Sequence, residues 1–542
     1  MPFIVRNLAV DFRVGEASIL DYLIKRIALP RDEIISWKIV RKGLDARKKN
    51  AIRYVYTVEI CVKDEGACIE RFRADRDVTH VSCKKPKNFP RLATNAKIIV
   101  AGMGPSGLFA SLRLAEYGLR AVVLERGRPV EERVRDVQVF WDNGRLDPES
   151  NVQFGEGGAG TFSDGKLTTR IRDENLGYIL EQLVRFGAPR EILHMAKPHI
   201  GTDKLRTIVA GIRQELLKRG FDIRFSGKLS DIVSRRGKLA GIVLNGIEEL
   251  ACEYLVLATG HSARDTYEML LRHSVRLERK PFAVGVRVEH PQELIDRIQY
   301  GRRSGSGLPP ADYALTFHDK ETDRPVYSFC MCPGGVVMAA SSEEGGVVTN
   351  GMSSYRRSLP FANSALVVSV GERDFSGSHS LAGMEFQRTL EQKAFVAGNK
   401  SYFAPAQNIL DFAAGKGFRP VRSSYRPGIV PVDLAEILPR EIACALKAGV
   451  TAFDRKMKGF LTEEASLIGV ETRTSSPVRI VRGDDFQSVS LPGLFPAGEG
   501  AGYAGGIMSA AVDGIRVADQ IARELQMNQG ESSDQDLCQR DT

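Results

Sequence analysis

The sequence predicts an α/β protein: a fold built on a strand-turn-helix-strand unit, interrupted by an inserted α+β cap domain and preceded by a small N-terminal domain of βαββ type. Three observations carry this prediction. A strand, glycine turn, helix and second strand follow one another over residues 97–126, and a second glycine-rich turn between a strand and a helix occupies 491–508. Between them, from 280 to about 460, the pattern changes to short strands and loops without any such unit. Ahead of the first unit lies a segment with its own periodicity and most of the chain's charge.

That first segment predicts a strand over 3–12, an amphipathic helix over 18–28 and strands over 34–40 and 52–62, the simplest assembly of which is ferredoxin-like. Residues 1–95 hold 20 Lys and Arg against 12 Asp and Glu, leaving +8 of the +9 carried by all 542 residues. The stretch 41–49, RKGLDARKK, carries +4 of it between the last two strands. It is read first as a solvated hairpin tip and second as a docking point for an anionic partner, nucleic acid included. Residues 84–96, with two prolines and no periodicity, read as a linker, so the unit 1–92 is expected to be separable from the nucleotide motifs.

In the unit 97–126 the turn is Gly102-Met103-Gly104-Pro105-Ser106-Gly107. Gly102 makes the tight turn, Gly104 lets the backbone approach a pyrophosphate, and Gly107 lets the helix pack on the strand. Pro105 suits a first helical turn, and the helix N-terminus faces the phosphates. Glu125, 23 residues after Gly102 and followed by Arg126, ends the second strand where a carboxylate accepts from a ribose 2′-OH. The same carboxylate disfavours a 2′-phosphate at this site.

Residues 151–167 place Gly155, Gly157, Gly158 and Gly160 within six positions, which suits close approach of backbone to a flat or phosphorylated ligand rather than a helix or strand interior. Thr161, Ser163 and Gly165 join the cofactor contacts, and Asp164 and Lys166 are candidates for the reacting face. A helix over 202–220, capped by Thr202 or Asp203, precedes a strand that ends in Ala258-Thr259-Gly260. In the cap, Cys330 and Cys332 form a redox pair, or one of them is a nucleophile, or both are inert core thiols. The late turn contributes Gly498, Glu499, Gly505, Gly506 and Ile507, with a helix over 507–525 and a disordered tail over 526–542.

These motifs together resemble the FAD-binding half of glutathione-reductase-like flavoproteins, a Rossmann-type fold. More narrowly, GVRVEHP (285–291), YSFCMCPGG (327–335), NGMS (350–353), GVETRTSSPVRI (469–480) and GEGAGYAGGIMSAAVDG (498–514) resemble a bacterial family of FAD-dependent dehydrogenases. The likeness spans residues 1–525 and implies a bound FAD; it brings no substrate with it. Glu499 stands where the wider superfamily has aspartate, so its ribityl contact comes from a side chain one methylene longer. The implied division is an FAD-binding domain in two parts, 97–279 and 461–525, around the cap at 280–460.

The implied activity is two-electron transfer between FAD and a small molecule. An RNA-associated flavoenzyme and an FAD-binding protein without turnover are the alternatives. No second strand-GxGxxG-helix unit lies between 127 and 480, so NAD(P)H serves as a transient donor without that fold or a reduced substrate delivers the hydride. Scattered cysteines and histidines give no metal-ligand spacing, and no apolar run reaches the ~18 residues of a membrane span. A cytoplasmic location is expected, and so is the absence of a metal.

Overall fold

The structure, a computed structural model, describes residues 1–82, 88–301, 307–417 and 419–538. At its centre five parallel strands run in the order Leu494–Pro496, Tyr254–Leu257, Ile98–Ala101, Val122–Leu124 and Asp222–Arg224. All four residues of the middle strand are buried, because both faces of the sheet are covered. Ile98 and Val100 face helices Pro105–Glu116, Thr202–Lys218 and Ile507–Cys538, whereas Ile99 and Ala101 face the antiparallel meander Leu229–Arg235, Lys238–Leu244 and Glu248–Ala251. This is the Rossmann-type sheet expected from residues 97–126.

Two helices meet over the sheet's C-terminal edge. A Cβ at Gly514 would fall 2.0 Å from the Ser106 carbonyl oxygen, so the missing side chain lets helix Ile507–Cys538 lie against the first turn of Pro105–Glu116. Their N-termini therefore open side by side.

The cap is more regular than its sequence suggests. Eight strands form one sheet, in the order Thr316–Asp319, Arg324–Ala339, Phe361–Val370, Phe282–Pro291, Ser466–Glu471, Ala404–Asn408 and Ile429–Pro431, with Thr349–Met352 beside Arg324–Ala339. Helices Ala382–Ala397 and Arg440–Lys456 complete its core. One central strand lies past residue 460, so the cap sheet reaches beyond the expected boundary. Its strands are interrupted by Cys, Pro and Gly, which hides a sixteen-residue strand such as Arg324–Ala339 from a search for alternation.

The N-terminal unit is βαββαβ. Its sheet order is Ile34–Asp45, Arg53–Val62, Phe3–Asp11, Val78–His80, with helices Ile19–Ile27 and Glu65–Phe72. The second helix and fourth strand went unpredicted because the helix buries only Cys68 and Phe72 and the strand has three residues. The stretch 41–49 is only partly a tip, since strand Ile34–Asp45 continues through Lys42. There it hydrogen-bonds the main body: the Lys42 N–H donates to the His194 carbonyl at 2.7 Å and the Ala196 N–H donates back at 2.8 Å. Phe12 and Ile52 are buried in the cap's core, and the Tyr54 hydroxyl donates to Gly307. The unit is docked rather than tethered, which removes the basis for expecting it to be separable. Of the expected linker, Lys84 to Lys87 lie outside the described residues.

The last helix continues to Cys538 where a disordered tail was expected from 526.

Candidate functional site

A cavity of about 850 Å³ lies between the C-terminal edge of the parallel sheet and the cap. Its size falls within the ~300–1,000 Å³ of small-molecule sites. The sheet side is largely backbone. A Cβ built at Gly104, Gly260, Gly505 or Gly506 would meet nothing within 4 Å, so at all four places the main chain faces the cavity. Gly102 and Gly107 do different work: a Cβ there would fall 2.3 Å from the Ala258 oxygen and 1.9 Å from the Gly102 oxygen. Gly102 and Gly107 are thus packing positions, and Gly104 is open to the cavity.

Side chains on this wall await a polar ligand. Ser106 Oγ and His261 Nδ1 are buried and without a hydrogen-bond partner in the protein, and both residues line the cavity. A buried polar atom is costly unless paired, so these atoms and the glycine openings fit a dinucleotide. Glu125 Oε2 accepts from the Met103 N–H at 2.9 Å, and Oε1 from Gly127 at 2.9 Å and Gly155 at 3.0 Å. A carboxylate has about four acceptor sites, which leaves one for a ribose hydroxyl. Burial pushes the Glu499 carboxyl up to about 7; its Oε2 accepts from Gly506 and its Oε1 lies 3.9 Å from His261 Nε2. Burial lowers His261 to about 3, so that imidazole is neutral.

The cap side is built from side chains far apart in sequence. Lys166 donates to the Met331 carbonyl and sits 3.9 Å from Asp164 Oδ2. Asp164 accepts from Arg357 Nε at 2.9 Å and from Ser353 Oγ. Burial works against its charge, but Arg357 and Lys166 outweigh burial and hold it below the usual carboxylate range. Behind them lies Arg287, fully buried, with Nη1 2.8 Å from both oxygens of Glu471 and Nε 2.8 Å from Asn363. Its Nη2 donates to the Cys330 carbonyl at 2.7 Å and stands 3.7 Å from Cys332 Sγ. Burial raises Glu471 to about 7 despite that partner. The hydrogen bond from Cys332 lowers the Cys330 thiol to about 5 against burial, with help from Lys166 and Arg287, while Cys332 is pushed well above its ordinary value by the same bond and by burial.

Residues 281–474 match the family model of the FAD-dependent protein C-terminal domain, and 5–61 match a domain of unknown function. An uncharacterized protein of Clostridium beijerinckii is 47% identical over 528 residues, covering 96% of this chain and 98% of that one. The chain belongs to this family of FAD-dependent proteins. A digeranylgeranylglycerophospholipid reductase of Haloferax volcanii is 24% identical over 234 residues, 42% of this chain and 52% of its own. Among solved structures, a flavin-dependent brominase aligns at 13% identity and TM-score 0.36, over 79% of this chain and 80% of that one. A geranylgeranyl bacteriochlorophyll reductase-like protein of Thermoplasma acidophilum aligns at 14% and 0.33, over 80% and 79%.

Most of the residues chosen from sequence come together on this cavity. Gly102, Gly104, Pro105, Ser106, Glu125, Arg126, Gly158, Ser163, Asp164, Gly165, Lys166, Thr259, Gly260, Cys330, Glu499, Gly505, Gly506 and Ile507 all line it. Five do not: Gly107, Gly157, Thr161, Cys332 and Gly498 stand behind the wall. A Cβ at Gly157 would strike Thr161 Oγ1 at 2.1 Å and one at Gly498 would strike Ser106 Cβ at 2.8 Å, so both are packing positions. Thr161 Oγ1 is spent on the Glu156 carbonyl. Arg126 pairs with Asp265 at 3.0 Å and Glu149 at 2.6 Å and lies 4.0 Å from the Phe154 ring centre, which ties down the cation expected to meet the cofactor. Neither Thr202 nor Asp203 caps its helix, since their side chains go to the Thr161 carbonyl and the Tyr355 N–H.

Sequence reasoning missed Arg287, Glu471, Arg357 and His261. The one available signal was Arg287, a charge inside the apolar run Val286-Arg287-Val288 of a strand that the structure buries from Phe282 to His290. Among the described residues there is no cluster of metal-ligating side chains, and no helix is long and apolar enough to cross a membrane.

Proposed function

We propose that this FAD-dependent protein is an oxidoreductase that passes a hydride between the flavin and a small molecule held against the cap. The observation behind this reading is that one cavity has the glycine turns for one wall and residues 327–331 with 471–475 for the other. FAD, when bound, supplies a two-electron acceptor or donor.

The protein's residues do the rest. Gly104 and Ser106, at the N-terminus of helix Pro105–Glu116, would hold the pyrophosphate, and Glu125 a ribose hydroxyl. Lys166 and the N-terminus of Ile507–Cys538 bring positive charge to a cavity that must accommodate the negative charge of a reduced flavin. Glu499, poised near neutrality, holds or releases a proton there. Tyr327, Ser328 and Asn350 offer polar contacts to a substrate beside the Phe329 ring. The hydride comes from reduced nicotinamide or from a reduced substrate, entering from the cap side.

Anaerobic mixing of the purified FAD protein with NADH, NADPH and candidate reduced substrates, followed by flavin absorbance, tests this. Bleaching by at least one donor, reversed by an oxidised small molecule, is the expected result. A fully loaded protein whose flavin dithionite bleaches but no biological donor does would mark it as a binder without turnover.

A further inference from the structure

The cap wall carries a feature that hydride transfer does not use. Cys330 and Cys332 lie two residues apart on one strand, and the Cys332 thiol donates to the Cys330 carbonyl at 3.3 Å. The pairing register shifts on either side of Cys332, between Phe329 and Cys332 and again between Cys332 and Gly335, and Cys330 has φ +44°, so the strand bulges at the pair. Cys330 is partly exposed on the FAD cavity, and Cys332 is fully buried. The backbone of the pair is gripped from two sides. Arg287 donates to the Cys330 carbonyl, and Lys166 donates to the carbonyl of Met331 between them. A Cβ at Gly351 would fall 2.2 Å from Arg287 Nη2, so the neighbouring strand is cut back to admit that guanidinium.

A pair of inert core thiols needs none of this. A fully buried arginine is costly, and this one, paired with Glu471, also reaches the two cysteines. A thiol on a cavity wall beside cations, backed by a buried second thiol, is the arrangement in which the first reacts and the second resolves.

We propose that Cys330 and Cys332 are a second redox centre, a dithiol–disulfide pair that exchanges an electron pair with the flavin across the cavity. This rests on FAD occupying that cavity. In the reducing direction the Cys330–Cys332 S–S bond breaks as the pair takes up two electrons and one proton, giving a Cys330 thiolate and a Cys332 thiol. Those two electrons and one proton are what an anionic two-electron-reduced flavin gives up on oxidation. In the reverse direction the Cys330 thiolate and Cys332 thiol close the disulfide and return them. The form left after reduction is the one the local charges favour, with the anion at Cys330 near Lys166 and Arg287. Through Cys330 the pair also reaches substrates of the thiol–disulfide class: the thiolate attacks a substrate disulfide, one substrate thiolate leaves, and Cys332 displaces the other.

The test is an anaerobic dithionite titration of the FAD protein after mild oxidation. Full flavin reduction in the wild type is expected to take about twice the reductant that Cys330→Ser and Cys332→Ser require, since each centre is a two-electron couple. Cys332→Ala, which adds no polar group at the buried position, repeats the measurement. A flavin-free readout accompanies it: peptide mass spectrometry of the oxidised protein is expected to show residues 330 and 332 joined and protected from alkylation. In the reduced protein Cys330 is expected to alkylate at a pH well below the ~8.5 midpoint of a free thiol. Equal reductant demand in wild type and variants, with both cysteines alkylated after oxidation, would overturn the pair while leaving the oxidoreductase reading intact. Failure of every biological donor to reduce the flavin, with the disulfide present, would count against that reading and not against the pair.

Discussion

The two walls of the cavity are made differently. On the sheet side the cavity meets main chain, offered by glycines in short contiguous motifs. On the cap side it meets side chains held by ions that come from residues as far apart as Asp164 and Arg357, or Arg287 and Glu471. A backbone wall is specific because anything larger than hydrogen would fill it, and a charged wall is specific because each ion depends on its partner. The first should fail by losing ligand while keeping its fold. The second should fail by losing fold.

The largest expected effect is therefore on the cap side. Glu391 is fully buried and accepts from Arg264 at 2.8 and 2.9 Å and from Arg473, a cavity residue, at 3.0 and 3.1 Å. Glu391→Gln leaves two buried guanidiniums sharing Glu343, and should cost about 3–5 kcal/mol in chemical denaturation. The pH dependence follows from the same geometry. Burial opposes the Glu391 charge but the two arginines override it and hold its folded-state carboxyl well below the usual range. Its stabilisation is then complete above the unfolded value of ~4.3 and fades as pH falls toward the folded one. The variant should lose that part of the acid dependence. A cost under ~1 kcal/mol would mean that the cap wall is not held by its ions.

A smaller effect, with the opposite signature, is expected on the sheet side. Gly104 has φ −72° and ψ −179°, extended backbone that any residue adopts, and a Cβ there meets nothing. Gly104→Val should fold with a loss of ~1 kcal/mol or less for a poorer helix cap. It should nevertheless bind FAD about 100-fold more weakly, ~2.7 kcal/mol, by filling space the pyrophosphate needs. Gly102→Ala is the control, because Gly102 has φ +107° and its Cβ would fall 2.3 Å from the Ala258 oxygen. That variant should lose stability as well as cofactor. Thermal melts and flavin fluorescence separate the two, and stoichiometric FAD in a folded Gly104→Val would break the contrast between the walls.

The same difference sets what the sequence reveals. The sheet wall was legible because each turn is a few adjacent residues whose spacing reports its geometry: Gly102 to Gly107, Thr259 with Gly260, Gly498 to Ile507. Even there, adjacency did not separate residues facing the cavity from those packing behind it, as Gly157, Thr161 and Gly498 show. Depth is a property of the third dimension. The cap wall could not be assembled in advance, since nothing in strand Phe282–Pro291 says that Arg287 will meet a carboxylate 184 positions later. Docking of the N-terminal unit was hidden for a related reason. It uses the backbone of Lys42 and the buried side chains of Phe12 and Ile52, which look from sequence like parts of that unit's own core.

The smallest effect is expected where charge is densest in the sequence. Of the cations in 41–49, Lys42 pairs with Glu16 at 2.6 Å and lies 4.5 Å from the Tyr54 ring centre, and Arg47 pairs with Asp45 at 2.8 Å. A Cβ built at Gly301 would lie 3.5 Å from the stem of Lys49, so that side chain is placed against the main body. The fastening of this unit comes from main-chain hydrogen bonds and buried apolar groups, neither of which the exposed ends of Arg47, Lys48 and Lys49 supply. Changing those three to Ser should leave the melting temperature and the flavin spectrum within error, as exposed substitutions usually do. Ile52→Asp, which puts a charge into the cap's core, should release the unit and speed its proteolysis. Retention of the triple variant on heparin at low salt should match the wild type, because Arg47 is paired with Asp45 and the stem of Lys49 lies against the main body. A retention that disappears, with a salt dependence that flattens in proportion to the cations removed, would instead make the tip a docking point for a polyanion and restore RNA as a partner.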